Sequence, residues 1–82
     1  MVYNKTDVYN EEIKDLVKRI LLICDKEKIP MFMSFAVQND ENGTKYISEM
    51  QSAASHGIEL EKDLLVKHAL VIAGIYPQSE SN

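Results

Sequence analysis

The chain has 82 residues, enough for one domain but too few to enclose a large interior. Apolar residues make up 45%, aromatics 7%, and Trp is absent, so a globular chain with an aliphatic core is expected rather than a disordered one. A net charge of −4 argues against general nucleic-acid binding, which needs a basic stripe to displace counterions, and against attraction to anionic membranes.

Cys24 is the only cysteine, so neither an intramolecular disulfide nor a multi-cysteine zinc site can form. A single thiol fits a reducing compartment. Residues 1–10 lack the basic start and apolar run of a secretory signal. Residues 64–76 are the most apolar stretch, but Lys67 and His68 interrupt it. It is shorter than the roughly 20 residues a bilayer needs. The expected location is the cytoplasm, with no membrane association.

In chain order, residues 1–9 are a weakly patterned N-terminal segment with a short extended piece at Val2 and Tyr3. Asn10 reads as a helix N-cap, because Glu11 and Glu12 follow it and acids favour the positive end of a helix. Ile13, Leu16, Val17, Ile20, Leu21 and Cys24 recur at helical spacing. Lys26 and Lys28 suit a C-terminus and Pro30 forbids continuation, which predicts a first helix over 11–26.

Residues 31–38 alternate as a strand. Met31, Met33, Phe35 and Val37 point one way, and Phe32, Ser34, Ala36 and Gln38 the other. The run Asn39-Asp40-Glu41-Asn42-Gly43 marks a hairpin turn, and 44–50 return as the second strand. A two-residue turn at Asn42-Gly43 sets Val37 opposite Ser48. A three-residue loop with Gly43 left-handed sets Val37 opposite Ile47, and is preferred because it pairs two β-branched residues. Ser52, Ala53, Ala54 and Ser55 suit one helical turn closed by Gly57. A second helix follows over 61–75, with Glu61 and Asp63 in its first turn and Pro77 as its stop. Residues 77–82 read as a frayed tail. The expected fold is a small single-domain α+β protein over 1–82. Its order is α-β-β-α, with an antiparallel hairpin packed against two helices.

Both helices carry more apolar residues than one face requires. On the second, Leu60, Leu64, Val71, Ile72 and Ile75 share a stripe, yet Val66, Leu70 and Ala73 lie on the far side. On the first, Ile20, Leu21, Leu22 and Ile23 sweep most of the way round. Two helices cover one face of a two-stranded hairpin, leaving Phe32, Tyr46 and Met50 on the uncovered side. The candidate interface is therefore Leu22, Val66, Leu70, Phe32 and Tyr46. A two-fold homodimer built mainly through the helices is expected, ahead of pairing between hairpin edges.

Candidates for chemistry resolve to structural roles. His68 has apolar residues at the helical neighbour positions Leu64, Leu65, Val71 and Ile72, so no second metal ligand stands beside it. It reads as a partly buried histidine in the apolar stripe. His56 near Ser52 and Ser55 suggests a nucleophile and base, but the strand-to-helix elbow of G-x-S-x-G is missing and the small residues suit a turn. Cys24 falls on the apolar stripe of the first helix, as a buried and inert thiol. Lys14, Lys18, Arg19, Lys26 and Lys28 make that helix locally basic, but Glu11, Asp15, Asp25 and Glu27 interleave with them. Met31, Met33 and Met50 read as core residues rather than an adaptable surface. Gly43, Gly57 and Gly74 stand too far apart for a phosphate loop. No catalytic, cofactor-binding or metal-binding residue is assigned.

The segments NDENGTKYISEM and GIELEKDLLVKHALVIAGIY, under half of the chain, resemble short uncharacterised α-β-β-α proteins of bacterial prophages and mobile elements. That resemblance implies no activity. The sequence thus points to a non-enzymatic interaction or regulatory module acting as a homo-oligomer, with a heterologous protein as the other possible partner. One alternative is an acidic inhibitor that presents Asp40, Glu41, Glu59, Glu61 and Asp63 to a partner's nucleic-acid-binding surface. The other is a nucleic-acid binder using the basic face of the first helix.

Overall fold

A computed structural model describes residues 1–74. Its elements run β1 (Tyr3–Asn4), α1 (Thr6–Val8), a π-helical turn (Tyr9–Ile13), α2 (Lys14–Glu27), β2 (Met31–Asp40), β3 (Gly43–Gln51), a 3-10 turn (Ala54–His56) and α3 (Leu64–Ile72). The sheet is antiparallel, with strand order β1-β2-β3. The α+β class and the hairpin with a helix on either side in sequence hold. A short first strand is added.

The helical run begins earlier than its acids suggest. Asn4 Oδ1 accepts a hydrogen bond from the Thr6 amide at 3.0 Å, which starts the chain turning. Asn10, expected as the cap, lies instead inside the π turn. There the Lys14 amide donates to the Tyr9 carbonyl five residues back. The wide turn changes the helix phase. In a regular helix the eight residues from Tyr9 to Val17 leave them about 80° apart. One extra residue in a turn removes most of that offset, and both side chains are buried. At the other end Lys28 takes a left-handed conformation (φ 56°), and its amide and that of Ile29 both donate to the Cys24 carbonyl.

Alternation sets the sheet's inner face as expected. Met33, Phe35 and Val37 of β2 and Ile47 of β3 pack with Ile13 and Leu21 around Tyr9 and Val17. The Tyr9 and Phe35 rings meet at 5.5 Å with a 59° tilt, a favourable aromatic geometry. Among the described residues, the buried hydrophobics are Tyr9, Val17, Cys24, Val37 and Ala53.

The hairpin register differs from both sequence readings. Phe35 pairs with Ile47, Ala36 with Tyr46, Gln38 with Lys45 and Asp40 with Gly43. Val37 is the extra residue of a bulge, so neither Ser48 nor Ile47 stands opposite it. The loop is Glu41-Asn42, one position earlier than Asn42-Gly43. Asp40 Oδ1 explains the shift, because it accepts from the Asn42 amide at 2.8 Å and folds the turn on itself. Neither loop residue has a positive φ, so the turn is not of the type that asparagine-glycine favours. Gly43 carries the positive φ (133°) as the first residue of β3.

Beyond Val37, the outer edge of β2 is closed by β1. Tyr3 pairs with Asn39 and Asn4 with Gln38, the Lys5 amide donates to the Val37 carbonyl at 2.6 Å, and the Tyr3 hydroxyl donates to the Ala36 carbonyl at 3.0 Å. The 3-10 turn forms where the small residues predict it, with Gly57 left-handed after it (φ 69°).

The last helix is shorter than its apolar pattern. It starts at Leu64 because Asp63 is its N-cap, accepting from the Leu65 and Val66 amides. It ends at Ile72, before Gly74 with φ 78°. Ile75, Pro77 and the tail over 77–82 lie outside the described residues. Among the described residues no helix is long and apolar enough to cross a membrane.

Gly43 supplies a direct test of the turn. A Cβ there meets nothing within 4 Å, so the cost of a side chain is purely conformational. Gly43→Val is expected to lower the unfolding free energy by about 1 kcal/mol or more, measured by urea denaturation. An unchanged midpoint would show that β3 begins without this conformation.

Candidate interaction surface

The sheet has two faces, and the helices divide them. The α2 side chains Val17 and Leu21 pack on the face of Phe35 and Ile47. By alternation, Phe32, Ser34 and Ala36 of β2 and Tyr46, Ser48 and Met50 of β3 share the opposite face. The Ser34 and Ser48 hydroxyls lie 2.8 Å apart there. Ala69 and Ile72 of α3 and its C-cap Ala73 border that second face and enclose, with Phe32, Tyr46, Ser48, Glu49 and Met50, an open cleft of about 480 Å³. The two helices therefore do not share one face, as the sequence suggests: α2 packs on the first face and α3 lies at the border of the second.

This second coverage is thin. The molecule measures 13 Å along its shortest axis over Cα atoms. Packed layers are about 10 Å apart, so that depth holds one helix on one sheet and no full third layer. No residue of α3 is buried. Leu65, Ala69 and Ile72 are half-buried, while Leu64, Val66 and Leu70 are exposed.

The five candidate interface residues separate into two groups. Phe32 and Tyr46 line the cleft together. Val66 and Leu70, on the helix that borders it, flank its docked stripe Leu65-Ala69-Ile72. Leu22 is 71% exposed and lies on the opposite side of α2 from Val17 and Cys24, pointing away from the sheet. The sheet thus stands between Leu22 and the Phe32–Tyr46 cleft.

A second apolar strip runs along α2. Leu16, Ile20 and Ile23 are exposed along one flank of α2, next to its buried stripe. Leu21 lies on the other flank, where its carbonyl accepts from Gln51 Nε2 of β3 at 2.9 Å. The exposed flank thus faces away from β3. Leu16 and Ile20 fit the core spacing, and Ile20 and Ile23 belong to the apolar surplus of the helix, but the pattern does not record which of them a narrow sheet is too small to cover.

The candidate chemical groups fall into structural roles. Ser52 Oγ accepts from the Ser55 amide at 3.1 Å, and Ser55 Oγ donates to the Ser52 carbonyl at 2.7 Å. His56 Nε2 meets Gln51 Oε1 at 2.8 Å, so the His-Gln pair ties the 3-10 turn through Gln51 to α2. Both serines serve the turn. His68 is exposed rather than half-buried, because α3 docks through the stripe beside it. Cys24 is buried on the sheet side of α2. Among the described residues no three His, Cys, Asp or Glu side chains cluster as a metal site. Lys14 and Lys18 share the outward side of α2 with Asp15 and Asp25, a mixed face rather than a basic one. Of the acids, Asp63 caps α3 and Asp40 braces the turn.

No protein-family model matches the chain, and no curated protein or solved structure matches it either.

Burial of Cys24 has a kinetic consequence. Its thiol should react with a maleimide at least on the order of tenfold more slowly in native protein than in denaturant, because labelling must await local opening. Equal rates in the two conditions would show an accessible thiol and a looser helix–sheet contact.

Proposed function

We propose that this chain is a non-enzymatic protein-interaction module that works as a homo-oligomer. One observation carries the reading. An apolar sheet face lined by Phe32, Tyr46 and Met50 is bordered by a helix that buries none of its own side chains. Monomers seldom leave large contiguous apolar surface in water. A second copy seated beside that surface would shield part of it and add contact area the single chain lacks. The exposed Leu16, Ile20 and Ile23 on α2 add to the same deficit.

Light scattering at micromolar concentration tests the reading. The expected mass exceeds that of one 9.3 kDa chain, and Tyr46→Glu shifts it toward the monomer by placing a charge in the apolar face. A mass of one chain throughout the range, for both native and Tyr46→Glu protein, would contradict it.

A further inference from the structure

The sheet ends on β3. That strand spans Gly43–Gln51, and its sole neighbour among the described strands is β2, so its outer backbone edge is open along its length. Lys45, Tyr46 and Ser48 are exposed, and Ile47 and Glu49 are half-buried. Open edges of this length are normally blunted, because their free amides and carbonyls template pairing with another chain.

The charges on β3 have a specific arrangement. Lys45 and Glu49 stand two positions either side of Ile47, on the same face of the strand. They cannot reach one another, since four residues of strand span about 13 Å. No ion pair engages either within the described residues. An antiparallel copy of β3 centred on Ile47 places Lys45 opposite Glu49 of the second copy, and Glu49 opposite its Lys45. Both charges are then matched by one two-fold operation. A slip of two residues in either direction breaks both pairs at once. It sets Lys45 against Ile47 in one case and against Gln51 in the other.

The opposite side of the strand fits the same register. Tyr46 then faces Ser48 of the second copy, with Tyr46 and Met50 of that copy as its diagonal neighbours, within reach of an aromatic side chain. The two apolar clefts become one continuous surface, spanning both copies and bordered by both α3 helices. The two-fold axis runs normal to the sheet, so both α2 helices stay on one side.

From this we infer that two copies of the chain join edge to edge through β3, in the antiparallel register centred on Ile47, with reciprocal Lys45–Glu49 pairs. This rests on the homo-oligomer reading and names the surface and the register. The edge pairing, which sequence alone ranks below a helical contact, is preferred because it satisfies the open backbone, both charges and Tyr46 together.

Charge reversal followed by sedimentation at low salt tests it. K45E and E49K should each weaken self-association by about tenfold or more, because each sets like charges opposite one another twice. The double variant K45E/E49K restores both pairs and should recover most of the native affinity. As a second readout, an equimolar mixture of K45C and E49C should oxidise to the mixed disulfide in preference to either homodimer. Self-association that is unaffected by any of these changes, with no preference for the mixed disulfide, would overturn the β3 register while leaving the homo-oligomer reading intact. Native protein that stays monomeric throughout would overturn both.

Discussion

Tyr9, Val17 and Val37 meet where the first helix crosses the hairpin, and the remaining described structure is arranged around that contact. Two local irregularities make it possible. The π turn brings Tyr9 into line with Val17, and the bulge gives Val37 a position of its own in the ladder. Each is a departure from regular geometry that re-aims a side chain. Burying a side chain of this size contributes about 1.5–3 kcal/mol, which is enough to offset the local cost of an irregular turn or bulge. The bulge also falls where β1 meets β2. The Val37 and Ala36 carbonyls are taken by Lys5 and Tyr3, so the same distortion that forms the core anchors the N-terminus.

That contact organises one face of the sheet and leaves the other dependent on α3. The last helix follows a loop and is capped by its own Asp63, so its local structure is well determined. It presents Ala69 and Ile72 to the cleft and leaves Leu64, Val66 and Leu70 in water. A helix of this composition exposed on several sides implies a missing layer. The open edge of β3 borders the same face, so pairing there closes the open backbone and joins that face across both copies, between the two α3 helices.

Much of this was legible in the sequence because it follows from period and turn chemistry. The alternation of Met33, Phe35 and Val37 identified the inner face, Pro30 placed the end of the first helix, and Gly57 closed the 3-10 turn. Gly43 was correctly read as needing a positive φ, although it opens β3 rather than sitting in the loop. The misses share a cause. The register turned on a single side-chain bond from Asp40, the helix start on another from Asn4, and the bulge on packing against Tyr9. None of these leaves a periodic trace. The surplus of apolar residues was visible, but its distribution between the two sides of the sheet depended on where α3 docks, which spacing does not encode. The symmetric placement of Lys45 and Glu49 was present in the sequence, and it gained meaning once β3 was known to be an open edge.

If the single chain lacks the interior to be stable alone, folding and assembly are linked, and stability must depend on concentration. The most direct test is the thermal midpoint measured over a hundredfold range of protein concentration. The account predicts a midpoint that rises by a few degrees with each tenfold increase, as mass action on an oligomer requires. A reversible two-state transition whose midpoint is independent of concentration would contradict it, and would make the small core around Tyr9, Val17 and Val37 sufficient by itself.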